Sequence, residues 1–303
     1  MSILASIDYT DHAPPALRLA RRLAEALRTE MRILHCRPGP THTWRHGGTA
    51  FEDEGGSDEH ELEAFVSSAI GDPTPDRPIT LHLAPPPLPE AVERIAGHDD
   101  IHLCVTGSTH RGTITQFLSE STSETLVRRC SVPIAVVPPD RPAPPLSAPI
   151  LAPVDPTLDT RESFGLALQL ARRTDTRLVV VHAKTGGPFY RFDPVDTTAD
   201  AASLSSTSVG RQLSEFLRQF DLRQVAFDVV VRPGSPAVAI RETAEAEQCG
   251  LVVMGRHDRL RLREFFLGST THRVLRDLPC PVIIVPDTDE RAGVGLPELV
   301  AGR

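Results

Sequence analysis

Residues 3–8 read Ile-Leu-Ala-Ser-Ile-Asp, and 147 positions further on the chain reads Ile150-Leu151-Ala152-Pro153-Val154-Asp155. The register holds without a gap through Leu19-Ala20 with Leu166-Ala167, Leu23-Ala24 with Leu170-Ala171, and His35 with His182. Towards the other end the offset becomes 148. It pairs Gly107 with Gly255, Ser121-Thr122 with Ser269-Thr270, Arg128 with Arg276 and Val137-Pro138 with Val285-Pro286. This is a tandem duplication, and a repeat of that length constrains the fold more than any single motif. The 303 residues divide into two domains, each with chain enough to bury a core. Six prolines between Pro138 and Pro149 favour an extended linker. The expected organisation is a first domain at 1–139, a linker at 140–148, a second domain at 149–287 and a frayed polar tail at 288–303.

Each copy alternates short apolar runs with amphipathic stretches. In the first, Ile3–Ile7, Met31–Cys36, Ile79–Leu83, His102–Thr106 and Ile134–Val137 read as strands. Thr10 or Asp11 is placed to cap a helix that takes Pro14 and Pro15 in its first turn and carries Leu17, Ala20, Leu23, Ala24 and Leu27 as one stripe. Arg37–Ser57 reads as a loop before a helix with Leu62, Phe65 and Val66; Pro89–Ala96 and Ser121–Arg129 read as further helices. The second copy repeats the order with Leu178–Ala183, Gln212–Phe220, Ala226–Arg232, Pro236–Glu247, Leu251–Met254 and Val282–Val285. Continuously apolar strands joined by helices predict an α/β fold, a parallel sheet covered on both faces. Ligands of such sheets sit beyond the carboxyl ends of the strands, where strand order reverses.

Composition removes several functions. A net charge of −8 argues against a nucleic-acid backbone as main partner. Lys184 is the only lysine among 32 basic residues and follows Ala183, so no Gly-Lys-Ser/Thr phosphate loop can be written. No apolar run approaches the roughly 18–20 residues that a membrane-crossing helix needs. The start of the chain meets Asp8 without a basic stretch, so a cleaved secretory signal is not expected. Five cysteines, odd in number and never spaced C-x-x-C, point to a reducing cytoplasm and to roles as small core residues. No nucleophile elbow, zinc-protease helix or dinucleotide glycine triplet is present.

At the strand ends of the second copy stand Pro153-Val154-Asp155, His182-Ala183 and Met254-Gly255, and Gly268-Ser269-Thr270-Thr271 opens a helix. Unpaired amides, hydroxyls and the positive end of a helix dipole make such a turn an anion site or, read plainly, a helix cap. Asp155 supplies an acceptor for a ribose hydroxyl or an adenine amino group.

The second copy resembles the universal stress protein family in Ile150–Asp155, Val179–His182, Gly234-Ser235-Pro236, Val252–Gly255, Gly268-Ser269 and Arg276–Val282. Its nucleotide-binding branch carries G-x2-G-x9-G-[ST]; Gly255, Gly268 and Ser269 keep their places, and Asp258 stands for the middle glycine. The resemblance implies two Rossmann-like, five-stranded parallel sheets in order 3-2-1-4-5 with helices on both faces. It also implies an ATP-binding, stress-responsive regulator and pairing of domains, as an internal pseudo-dimer or a homodimer, through Ile134–Val137 and Val282–Val285. Carried over, adenine and ribose lie near Pro153, Val154, Asp155, Ala183 and Met254. The phosphates lie over Gly255, Gly268, Ser269, Thr270 and Thr271, beside His257 and Asp258. A carboxylate about 4 Å from a phosphate oxygen costs about 4 kcal/mol at an effective dielectric of 20. A Mg²⁺ bridge, a swing of Asp258 to solvent or a shorter nucleotide would relieve it. Arg256, His257 and Arg259 read as a solvated basic loop.

The first copy departs further. Glu120 stands at the position of Gly268, His110 at the middle glycine and Pro87 at Gly234, so weak or no ATP binding is expected there. His42, His46 and His60 beside Asp53, Glu54 and Asp58 match no metal-site spacing and read as a polar loop. His35 and His182 end equivalent strands and read as structural. No catalytic residue is assigned. Three functions stay open: a nucleotide-binding regulator with an unnamed protein partner, a slow ATP hydrolase, and a nucleotide-independent interaction module.

Overall fold

The computed structural model describes residues 2–39, 41–46, 57–74, 78–98, 100–108, 122–139, 145–156, 160–184, 189–192, 208–256, 267–277 and 280–286. The chain forms two compact units, Met1–Ala143 and Pro144–Arg303. The expected tail at 288–303 and linker residues 140–144 lie outside the described residues.

The first unit runs β1 (Ser2–Ile7), α1 (Ala13–Leu27), β2 (Glu30–Cys36), β3 (His42–His46), α2 (Ser57–Ile70), β4 (Ile79–Ala84), α3 (Leu88–His98), β5 (Ile101–Gly107), α4 (Thr122–Arg129) and β6 (Ile134–Val137). Its strands lie in the order β3-β4-β2-β1-β5-β6. Five are parallel neighbours, and β3 pairs antiparallel with β4. The second unit runs β7 (Ile150–Pro153), α5 (Arg161–Thr174), β8 (Leu178–Lys184), β9 (Tyr190–Phe192), α6 (Ser208–Leu217), β10 (Phe227–Pro233), α7 (Pro236–Ala246), β11 (Leu251–Gly255), α8 (Ser269–Arg276) and β12 (Val282–Val285). Its order is β12-β11-β7-β8-β10-β9, with only β9 antiparallel. Counting parallel strands along the chain, each unit reads 3-2-1-4-5, as expected.

Two edge strands correct the sequence reading. Part of the Arg37–Ser57 segment is β3, from His42 beside Leu83 to His46 beside Ile79; β9 does the same for β10. Both occupy the open edge next to the third parallel strand, where unpaired backbone groups favour any extended segment within reach. The α1 cap differs too: His12 is the N-cap, with no side-chain cap bond.

Strand burial follows from coverage on both faces. Every residue of β1, β6 and β12 is buried. The α1 stripe packs as its period demands, with Leu17, Ala20 and Leu23 fully buried. Both first helices end alike, on a non-glycine residue in the left-handed region, Arg28 at φ 54° and Asp175 at φ 50°. In the second unit Phe164, about 1% exposed, meets Phe216 and Phe220 edge-on at 5.3 and 4.6 Å.

At the amino edge of the second sheet, Arg177 joins two carboxylates. Its guanidinium bonds the buried Asp228 of β10 and, at 3.0 Å, Glu247 beyond α7. Asp228 is only 2% exposed, so removing the guanidinium strands a charge where water cannot reach it. Arg177→Ala is expected to destabilise the second unit by about 3 kcal/mol. Urea unfolding followed by circular dichroism measures this, and an unchanged transition would refute it.

The five cysteines are free thiols. Burial lifts Cys36 to about 11 and Cys104 to about 12; burial and then Glu247 lift Cys249 to about 12. Iodoacetamide at pH 8 is therefore expected to spare these three in the native protein and to modify them after denaturation, as read by peptide mass spectrometry.

Candidate functional site

Along β7 the amides alternate between neighbours. Those of Ile150 and Val154 donate to Arg177 and Val181 on the β8 side at 3.0 and 2.8 Å. Positions 151 and 153 therefore face β11, and Pro153 has no N–H to give. The β7–β11 ladder accordingly ends at Leu151 beside Val252, whereas β7 stays paired with β8 through Pro153. In the first unit Ser6 occupies the position of Pro153, and β1 pairs with β5 as far as Ser6 beside Thr106. Backbone pairing between β7 and β11 thus stops short of the topological switch point, whereas the matching β1–β5 pairing of the first unit continues through Ser6.

Around the end of that ladder stand most of the residues expected from sequence. Pro153, Asp155, Ala183 and Gly255 are half-buried; Val154 and Met254 are buried, at 3% and 5% exposure. The loop leaving β11 is tied at both ends. Arg256 N–H donates to Val285 O at 2.9 Å, Gly268 N–H approaches Arg256 O at 3.4 Å, and the Thr271 hydroxyl reaches Gly255 O at 3.4 Å. Thr271 is 1% exposed, and its hydroxyl holds the turn together. Gly268 is the N-cap of α8. Among the described residues no acceptor meets the amides or hydroxyls of Ser269 and Thr270, which leaves the first turn of α8 with donors for an anion. His257 and Asp258 lie outside the described residues.

At this edge the structure corrects one sequence reading and gives another its hydrogen-bond partners. Arg256, assigned to a solvated basic loop, is buried at 6% exposure. Its counterpart in the first unit, Ser108, is buried as well and makes the same backbone bond, to Val137 O at 2.8 Å. Position 256 is therefore an inward position of the fold that happens to carry a guanidinium. His182 Nδ1–H donates to Val154 O at 2.8 Å, and His35 Nδ1–H to Ile7 O at 3.0 Å, each bond spanning 28 residues. The structural reading of these histidines is correct, and the bonds show what they hold: the peptide just before Asp155 and Asp8.

The model of the universal stress protein family matches residues 1–138 and again 148–286. The chain belongs to that family. The universal stress protein Rv2005c of Mycobacterium tuberculosis is 28% identical over 247 residues, spanning 80% of this chain and 79% of its own length. Among solved structures, a functionally unknown protein PA1789 from Pseudomonas aeruginosa covers 95% of this chain and 93% of its own, at 17% identity and a TM-score of 0.62. A universal stress protein from Archaeoglobus fulgidus covers 95% and 97%, at 18% identity and a TM-score of 0.58. These two likenesses are of fold. No helix among the described residues is long and apolar enough to cross a membrane, and none of their His, Cys, Asp and Glu side chains form a group of three that could hold a metal ion.

Of the two units of this universal stress protein, the first shows the loop after β1 packed on the carboxyl edge of its sheet. In the first, Asp8 turns back on its own loop, accepting from Thr10 N–H at 3.2 Å and from the Thr10 hydroxyl at 2.5 Å. The Tyr9 ring lies 4.5 Å from His35 and 5.4 Å from Phe65. Burial, then the carboxylates of Glu61 and Asp58, keep its phenol above the ordinary value. His12 lies directly over Gly107, where an added Cβ would come within 2.7 Å of His12 O. The loop after β1 thus covers the glycine that, by position, matches Gly255. Gly107→Ala is expected to destabilise the first unit by about 1–3 kcal/mol, because the obstacle is backbone. Thermal unfolding of the full chain would report it as a lowered first transition.

Proposed function

We propose that the second unit binds an adenine nucleotide, ATP with or without a bridging Mg²⁺, and that the protein is a nucleotide-responsive stress regulator. The observation that carries this reading is the end of the β7–β11 ladder before Pro153, at a topological switch point whose next helix opens with unused donors. Asp155, with Pro153, Val154, Ala183 and Met254, would take the nucleoside; Gly255, Gly268, Ser269 and Thr270 would take the phosphates, with Thr271 bracing their turn. His257 and Asp258 flank the phosphates by sequence position. The match to the family over both units supports the assignment. Regulation rather than turnover is the reading because no general base has been assigned. Five free cysteines support a reducing, cytoplasmic setting. Pairing of copies or chains through β6 and β12, and an unnamed protein partner, belong to the same proposal.

The continuous β1–β5 ladder of the first unit, with Glu120 at the position of Gly268 and His110 at the middle glycine, supports a single nucleotide per chain. Titration of the full chain with Mg-ATP in a calorimeter is expected to give a stoichiometry near one. A value near two would overturn the assignment of the first unit, and no heat or protection at millimolar ATP would overturn the whole reading. Gly268→Glu, which installs the first unit's residue, brings a carboxylate to within about 4 Å of the phosphates. It is expected to cost about 4 kcal/mol, roughly three decades in affinity. Lys184, the only lysine, adds an independent readout: bound nucleotide should slow its acylation, since it ends the strand carrying Ala183.

A further inference from the structure

We infer that His182 is the positioning residue of the nucleoside end of this site, acting through the Val154 peptide; the inference rests on the nucleotide reading above. Beyond Leu151, β7 has no ladder partner in β11, so the backbone bonds to β8 set where the residue before Asp155 stands. Two bonds do the holding. Val154 N–H donates to Val181 O at 2.8 Å, and Val154 O accepts from His182 Nδ1–H at 2.8 Å. Both polar groups of the residue before Asp155 are thereby fixed to β8, one by backbone and one by the imidazole. A carbonyl can only accept, so the proton is on Nδ1 and the ring orientation is set.

The first unit provides the comparison. His35 makes the same bond to Ile7 O, but there β1 remains laddered to β5 through Ser6, and Tyr9 lies against the ring. His35 is 9% exposed and adds one more bond to a laddered edge, whereas His182 is half-buried beside the end of the β7–β11 ladder. The same residue therefore has different work in the two units. In the first it seals; in the second it sets where the Asp155 turn stands when a nucleoside arrives. A peptide free to rotate there would have to be ordered on binding, and that cost would appear as lost affinity.

The test uses the full chain with three substitutions, Mg-ATP titration and hydrogen exchange of the peptide spanning residues 152–156. His182→Asn keeps an N–H donor where Nδ1 stands, and His182→Gln moves it outward. The Asn variant is expected to bind within about twofold of the parent. The Gln variant is expected to bind about tenfold more weakly, with faster exchange at Val154 and Asp155. His35→Gln breaks the equivalent bond in the other unit and is expected to leave affinity unchanged. Equal affinity of the Gln variant and the parent overturns the inference while leaving the nucleotide reading intact. Loss of affinity in both His182 variants, or unfolding of the second unit in both, overturns it too, because the donor atom would then not be what matters. A parent chain that binds no ATP overturns the nucleotide reading itself, and this inference falls with it.

Discussion

Pro153 has no N–H to give to the strand beside it, and the β7–β11 ladder stops short of it. In a parallel sheet each strand donates alternate amides to its two neighbours, so one proline at the carboxyl end removes the last rung on one side only. That side is the switch point, where helices leave the sheet in opposite directions and a crevice is already geometrically favoured. The candidate site is built around the end of this ladder: Met254 and Gly255 end β11, Val154 and Asp155 follow β7, and the Thr271 hydroxyl ties the first turn of α8 to Gly255 O.

The duplication makes the comparison internal. Both units share strand order, the left-handed helix ends at Arg28 and Asp175, and the histidine bonds from β2 and β8. They differ at the carboxyl edge, where Ser6 completes the ladder that Pro153 interrupts. This local change at the carboxyl edge leaves the core intact, because β1 stays paired with β2 and β7 with β8 to that edge. The Arg177–Asp228–Glu247 cluster lies at the opposite edge of the second sheet, so its contribution is to folding and is separate from the site.

Strands, helices and the repeat were legible from pattern: Ile3–Ile7 and Val282–Val285 are uniformly apolar because both faces of the sheet are covered. The edge strands were not legible. His42–His46 and Tyr190–Phe192 carry no strand pattern of their own and are extended because β4 and β10 leave an edge unsatisfied. Arg256 misled for a related reason. An arginine after a glycine looks solvated, and only its register opposite the end of β12 turns it inward.

The sequence by itself determined the duplicated α/β architecture, the family and the list of residues at the strand ends, since hydrophobic period and motif spacing are local properties of the chain. The tertiary structure alone decided that the β7–β11 ladder ends at Leu151 while β1 stays laddered to β5 through Ser6, that Tyr9 packs on His35 and His12 on Gly107, and that His182 bonds the carbonyl before Asp155. Those outcomes depend on which backbone groups find partners across strands far apart in sequence, and no local pattern records that pairing.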